Sequence, residues 1–577
     1  MSPATGERVL RFVGDRLRFS LRRSDGVALP KGWRVLLRTT LGRAEAIRRE
    51  IIESHWRKVL LPNAPWRDIP MQRDGDEWAV DLPMTEVGYF LAKAYAVDSD
   101  RRQHWPQGPD LGITIHPNAY RTVNTIYCAF VRMFGPTKGV IITTEPALEK
   151  QLKALDDQGY AVIPPSGKLR DLIKELPFIV EKLGCRILHL LPVNPTPTTN
   201  ARFGRFGSPY ATQDLVAIDP ALVEFDKRTT GIEQFCELTY EAHRRGAQVF
   251  LDLAINHTGW GSVLHENHPE WFLRNAAGAF ASPGAWGIVW EDLVELDHRR
   301  PALWEYLAGV FLTWCRRGVD GFRCDAGYKV PVEAWRYITA RVRQEFPETI
   351  FLLEGLGGSW EATENLLAEG GLQWAYSELF QNYSGLEVAT YLDYSVRQSE
   401  RVGLYVHYSE THDNPRLAAT NSAWSLLRNR LCALTSVNGA FGFTCGVEWL
   451  ATEKIEVHQS RGLAWGNPHN LVTELSALNK LLATHPCFFD GAKLTRLSPL
   501  DSPVYALRRD SAEGLDHVLV LINTDPKKAH AYLVDERIFP ALTQPKVDLL
   551  SQPFPEVETN DEGGIIFKLP PGGCYCL

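Results

Sequence analysis

The chain has 577 residues, of which 45% are apolar and 23% charged, and its 62 Lys and Arg against 69 Asp and Glu give a net charge of −7. That length exceeds the ~250–300 residues at which a single core stops growing, so two to four domains are expected. The composition excludes a disordered chain, and the acidic balance argues against nucleic acid or an anionic membrane as the main partner, since both need a basic face.

No run of about 18 uncharged apolar residues occurs, so no membrane span is expected. The first residues, MSPATGERVLRFVGDRLRFSLRR, lack a continuous apolar segment and do not read as a signal peptide. The ten cysteines include no CxxC pair, and most lie inside apolar runs. They read as buried free thiols of a cytoplasmic protein. Cys574 and Cys576 flank Tyr575 and would share one face of a strand, where two core thiols and a metal pair are the alternatives. The 17 Trp, 19 Tyr and 25 Phe suit flat sugar faces and ordinary cores alike.

Residues 1–118 read as an all-β sandwich. RLRFSLRR, GWRVLLRTT, DEWAVDLPM and GYFLAKAYAVD alternate apolar and polar with period two, and GPDLGITIHPN (108–118) reads as a linker. From 119 to 487 short apolar runs alternate with helical segments. The predicted strands are 125–134, 185–193, 247–255, 320–326, 349–355, 375–380, 404–410 and 439–445. Eight strands with interleaved helices predict an α/β fold, a (β/α)8 TIM barrel. The stretch 258–300, rich in Trp, Gly and His, is extra chain after the third strand and reads as an inserted domain. Residues 488–577 read as a C-terminal β-sandwich, with strands at SPVYALRR, HVLVLINT, KVDLLS and GGIIFKLPPGGCYCL.

In such a barrel the chemistry lies just past the strands' C-terminal ends. The third strand ends in Asp252-Leu-Ala-Ile-Asn256-His257, the fourth in Arg323-Cys324-Asp325, the fifth in Glu354, and the seventh runs into His412-Asp413. Asp325 and Glu354 are 29 residues apart, one βα unit, and Asp325 and Asp413 are 88 apart, about three. The carboxylates can therefore stand at one height on the rim. A lone carboxylate at a strand end usually caps a helix or joins a loop ion pair. Several on one rim, with an arginine, are the equipment of retaining glycoside cleavage: one attacks the anomeric carbon and another carries the proton. An arginine beside the first keeps it ionised and aimed.

The four stretches DLAINH (252–257), GFRCD (321–325), LLEG (352–355) and ETHDN (410–414), in this order, resemble the four motifs of the α-amylase family, glycoside hydrolase family 13. The resemblance implies Asp325 as nucleophile, Glu354 as general acid/base and Asp413 as transition-state stabiliser. Arg323 would orient Asp325, and His257 and His412 would bind sugar hydroxyls. Asp252 and Asn256 would hold the loop after the third strand, the Asn being a metal ligand in calcium-containing members. GSPYATQDLVAIDP (207–220) is similar to the family's segment after the second strand and implies that Tyr210 stacks on the sugar. WEDLVELD (290–297) is similar to the motif near the end of the inserted domain. ENHPEWFLRN and GYFLAKAYAVD resemble glycogen-metabolising members, the maltosyltransferases and debranching enzymes.

Many members place Lys and then His after the nucleophile, where this chain has Asp325-Ala-Gly-Tyr328-Lys329. The missing His removes a support of calcium, so no cofactor is expected, and EDTA should leave activity and melting temperature unchanged. A fall of many degrees restored by calcium would point to Asn256 as the first ligand to test. Lys329 and Arg416, the latter in Asn414-Pro415-Arg416, are further substrate-binding candidates, with a rim ion pair the alternative for Arg416. Trp260, Trp286 and Trp290 read as sugar contacts or as packing of the insert.

The expected function is a retaining α-glycoside hydrolase acting on α-1,4-glucan or maltooligosaccharides through a covalent glycosyl-enzyme. The alternative is an α-glucanotransferase or maltosyltransferase of glycogen metabolism. A non-catalytic family member would lack the nucleophile or the acid, and both are present. A phosphate-site barrel enzyme finds only a weak match at VNGAFGF (437–443). The expected partner is the glucan, with no nucleic acid and no membrane, and a homo-oligomer is left open.

Overall fold

The computed structural model describes residues 1–57, 64–139, 146–160, 163, 165–198, 202–460, 462–534, 547–560 and 564–577. Its centre is a closed barrel of eight parallel strands: β1 (Thr125–Ala129), β2 (Ile187–Leu190), β3 (Gln248–Ala254), β4 (Gly321–Asp325), β5 (Ile350–Leu353), β6 (Gln373–Tyr376), β7 (Leu404–Tyr408) and β8 (Phe441–Thr444). These strands are covered on both faces, so they read as almost continuous apolar runs. All eight predicted strands are present, each shorter than its apolar run. Parallel neighbours need long crossovers, which helices supply. Among them are α2 (Pro301–Arg316) and α3 (Val332–Glu345), which bury Trp314 and Trp335 completely. Among the described residues no helix is long and apolar enough to cross a membrane.

The register sets the height of the rim. Asp252 of β3 pairs with Arg323 of β4, and Ala254 with Asp325. Leu353 of β5 pairs with Cys324, so Glu354 emerges level with Asp325.

Pairing of β1 with β8 closes the barrel. Across that seam Tyr127 donates from its hydroxyl to Glu448 Oε1 at 2.6 Å, and Gly446 N donates to Glu448 Oε2 at 2.9 Å. Burial pushes the Glu448 carboxyl up to about 7, against roughly 4.3 in an unfolded chain. The folded state holds the extra proton between those values, so this group's contribution is intact at low pH and is lost as pH rises through them. Glu448→Gln is expected to remove a cost on the order of 2–3 kcal/mol between pH 5 and pH 8. The melting temperature of the variant should gain on wild type over that range. A gap that does not change with pH would show that Glu448 does not titrate there.

The N-terminal part differs from the all-β expectation. It holds one sheet in the order Arg8–Phe12, Leu111–His116, Gly88–Val97, Arg34–Thr39, Arg67–Pro70, and a second built from Arg16–Leu21, Glu77–Pro83 and Gln72–Asp74. It also holds a 14-residue helix, α1 (Ala44–Arg57), packed on α3. The segment expected to be a linker contains a fully buried strand, Leu111–His116, lying between and paired with Arg8–Phe12 and Gly88–Val97.

Between β3 and α2 the extra chain forms short pieces: His257–Gly259 pairs with Leu293–Glu295, and Gly284–Ala285 pairs with Ile288–Val289. The C-terminal part has a four-stranded sheet (Lys493–Arg496, Val504–Asp510, His517–Asn523, Cys574–Cys576) and a three-stranded one (His530–Val534, Ile565–Leu569, Glu556–Thr559). KVDLLS was expected as a strand. Its Lys546 lies outside the described residues, and 547–551 are coil and turn. Cys574 and Cys576 are both buried free thiols.

Candidate active site

The site is assembled around a buried arginine. Arg323, 2% exposed, donates from Nη1 to Asp252 Oδ1 at 3.1 Å and to Asp325 Oδ1 at 2.5 Å. Aromatic rings of Tyr376 and Tyr210 lie 5.4 and 5.9 Å from its guanidinium carbon. Burial opposes the Arg323 charge, but Asp252, Tyr210 and Asp325 hold it well above the ordinary value. A buried charge of this kind is tolerated because it is paired with two carboxylates, although its Nε is left without a partner.

Asp252 is fully buried and also accepts from the Tyr210 hydroxyl at 2.9 Å. Burial favours its neutral form, yet Arg323, His189 and His412 outweigh that and keep it ionised. The Tyr210 hydroxyl lies 2.7 Å from His412 Nε2, and the two rings stack at 5.6 Å and 11°. His412 Nε2 is 3.4 Å from Asp413, whose side chain is 68% exposed toward solvent. His257 Nε2 lies 3.8 Å from Asp325 Oδ2. Burial depresses both histidines, His257 to about 4, so both are neutral near pH 7. They can donate or accept toward a sugar hydroxyl without adding charge.

Glu354 is anchored by backbone. Ala326 N donates to its Oε2 at 2.8 Å and Leu356 N to its Oε1 at 3.3 Å. Ala326 reaches back because it is left-handed, φ +44° and ψ +34°, a conformation that a Cβ disfavours. Burial lifts both Asp325 and Glu354, and each lies in the field of neighbouring carboxylates. Only Asp325 has the hydrogen-bonded guanidinium, so the first negative charge of the pair belongs on Asp325 and the retained proton on Glu354.

The other candidates divide. Lys329 Nζ donates to Gly284 O at 2.5 Å and sits 5.6 Å from the Trp290 ring, tying the inserted hairpin to the turn after β4. Trp290 in turn lies 6.2 Å from the His257 ring. Trp260 donates to Glu291 O inside the insert, and Trp286 is 75% exposed. Asn256 accepts from Leu296 N through its main-chain oxygen, while its Nδ2 is buried without a partner. Among the described residues no group of three or more His, Cys, Asp or Glu is arranged to hold a metal. Arg416 is buried and commits its donors to Glu410 (2.7 Å), Cys445 O (2.9 Å) and Glu453 O (3.1 Å). That is the ion-pair alternative, and at 2% exposure the side chain is closed to a sugar.

Sequence reasoning passed over His189 and Tyr376. His189 Nδ1 lies 3.1 Å from the Tyr408 hydroxyl and Nε2 3.8 Å from Asp252. The available signal was a single His inside the otherwise apolar strand β2.

No family model matches the chain. Among curated proteins it is similar to α-1,4-glucan:maltose-1-phosphate maltosyltransferases. It is 26% identical to that of Cereibacter sphaeroides over 393 residues, 63% of this chain and 64% of the relative. It is 25% identical to that of Myxococcus xanthus, over 66% of this chain and 61% of the relative, and 25% to that of Pseudomonas aeruginosa, over 69% and 64%. The match thus spans less than two thirds of these relatives' own lengths. Among solved structures, an α-amylase from Lactobacillus plantarum superposes with a TM-score of 0.60 at 21% identity, covering 80% of this chain and 99% of that one. A debranching enzyme from Nostoc punctiforme does so with 0.59 at 20%, covering 80% and 99%. The closed barrel, the four motif stretches at its strand ends and these relatives make the chain similar to the α-amylase family, glycoside hydrolase family 13, with which it shares the (β/α)8 fold.

Proposed function

We propose that the chain transfers short α-1,4-linked glucosyl units, maltosyl units foremost, from a donor to a glucan acceptor by double displacement. The observation that carries this reading is the pairing of Asp325, gripped through Oδ1 by Arg323, with Glu354, fixed to the very next peptide. In the first half-reaction Asp325 Oδ2 attacks the anomeric carbon as its bond to the leaving oxygen breaks, and Glu354 gives that oxygen its proton. In the second, Glu354 takes the proton of an acceptor hydroxyl, whose oxygen attacks the anomeric carbon and frees Asp325. Asp413, whose side chain is exposed, stabilises the positive charge that develops on the sugar. His257 and His412 bind hydroxyls while neutral.

Hydrolysis shares the first half-reaction and differs only in that water is the second attacker. The sequence alone puts water first, and the relatives named maltosyltransferases favour a sugar. The wall formed by Trp290, Lys329 and Gly284 supports the same choice, because it can position an acceptor and restrict water.

The test is to incubate the protein with maltose 1-phosphate and maltopentaose, then follow released phosphate and the oligomer ladder. Phosphate release matched by lengthened chains is expected, with new linkages in the α configuration by proton NMR. Shorter sugars alone, with one new reducing end per cleavage, would restore hydrolysis. A β-configured first product would overturn the roles of Asp325 and Glu354.

A further inference from the structure

Away from the barrel mouth, the N-terminal sheets and the barrel meet through α1. His55 stacks on Trp304 of α2 at 4.6 Å and 22°, and Trp56 donates from Nε1 to the Tyr337 hydroxyl of α3 at 2.8 Å. Beside this contact lies a cavity of about 760 Å³, lined by α1, the strand Gly88–Val97 and α3. Its volume is that of a small-molecule site.

The lining chemistry is not that of a packing defect. Three guanidiniums line the cavity, those of Arg48, Arg336 and Arg343. Among the described residues none of the three forms an ion pair, and the side chains of Arg48 and Arg336 make no hydrogen bond. Arg343 is 5% exposed. It donates from Nη2 to Thr349 O at 3.3 Å and to Gln373 Oε1 at 2.7 Å, and its Nε is buried with no partner. Burial pushes Arg343 down to about 9, with the Arg48 charge adding to the effect. His116, whose ring feels the Arg343 charge, is buried with neither nitrogen partnered. Two guanidiniums without acceptors, beside a third whose Nε is unpartnered, are ready for a bidentate anion.

Carboxylates share the lining. Glu50 lies in the field of Arg336, Glu333 is one turn before it on α3, and Glu369, paired with Arg8 at 3.7 Å, is the third. A ligand of phosphate alone would meet repulsion there. A ligand with one phosphate and several hydroxyls would satisfy both sets, while a nucleotide would bring fewer hydroxyls and, as a di- or triphosphate, more negative charge. The half-buried rings of Trp66 and Tyr89 supply flat walls of the kind sugars stack on.

We propose that this junction cavity is a second ligand site, separate from the barrel mouth, that takes a phosphorylated monosaccharide. The guanidiniums hold the phosphate, and Glu50 and Glu333 accept the sugar hydroxyls. The ligand bridges α1 to α3 and so clamps the N-terminal sheets to the barrel.

The full chain is titrated calorimetrically with glucose 6-phosphate, inorganic phosphate and glucose as separate probes. Saturable binding of glucose 6-phosphate is expected, at least ten-fold tighter than either other probe. The double variant Arg48→Gln/Arg336→Gln should weaken it at least ten-fold, Arg48→Lys/Arg336→Lys should recover part of it, and circular dichroism should show both folded. Excess maltopentaose should not displace the ligand. Absence of saturable binding, equal binding by the Gln double variant, equal binding of glucose or of inorganic phosphate, or displacement by maltopentaose would each overturn the proposal.

Discussion

Asp325→Asn is expected to lower turnover by at least about 10³-fold, because an amide cannot form the glycosyl-enzyme. The fold should not suffer. Asn keeps an oxygen for Arg323, and Arg323 keeps Asp252. The wild-type carboxylate is buried and raised by its neighbours Asp252 and Glu354, so removing its charge relieves repulsion at neutral pH and above. The melting temperature of the variant should equal or exceed that of wild type, as expected where a site holds charge at a cost to stability. Turnover with maltooligosaccharides is the measurement. A tenth of wild-type activity remaining in Asp325→Asn would remove it as nucleophile, and a large fall in melting temperature would make its role structural.

The second large effect separates donors. Glu354→Gln removes the proton that the leaving oxygen needs, and general acid catalysis contributes roughly 10²–10⁴-fold. A sugar oxygen is a poor leaving group and should suffer the full loss. A phosphate oxygen leaves with its charge spread over the phosphate and needs less help. Formation of the glycosyl-enzyme from maltose 1-phosphate should therefore fall much less than from maltopentaose, read in a rapid-quench experiment as burst phosphate with the first donor and burst release of the shortened sugar with the second. Equal losses with both donors would show that Glu354 acts by something other than protonating the leaving group. In wild type, burial raises Glu354, which keeps the acid protonated to higher pH. Activity should fall as pH rises through that raised value, and the fall should be absent from the residual burst of the variant.

The barrel was legible because its strands are covered on both faces and so read as unbroken apolar runs. The carboxylates were legible because each stands where such a run stops. The N-terminal helix was not. AEAIRREIIESHWR buries only Ala44 fully, so its apolar stripe is weak, and its neighbours all alternate with period two. The strand Leu111–His116 was read as a linker because Pro109 and Asp110 precede it and because one partner, Arg8–Phe12, lies a hundred residues away. In the site, His189 and Tyr376 sit inside apolar strands and cannot be told from core residues until the barrel closes. Arg416 reads as a rim charge open to substrate, since the burial of Glu410 beneath it is a tertiary fact. The contact of Lys329 with Gly284 across 45 residues of chain is likewise a tertiary fact that the sequence does not display.

The left-handed Ala326 has a consequence for how the site tolerates motion. Asp325 is the residue before it, and Glu354 is hydrogen-bonded to its amide. The two carboxyls are therefore geared to one peptide plane and do not rest on two independently jointed arms. Movement of the surrounding loops would leave both groups with that common anchor. Opening and closing of the cleft then becomes a question of traffic, and the spacing that decides the stereochemical course is referred to a single peptide.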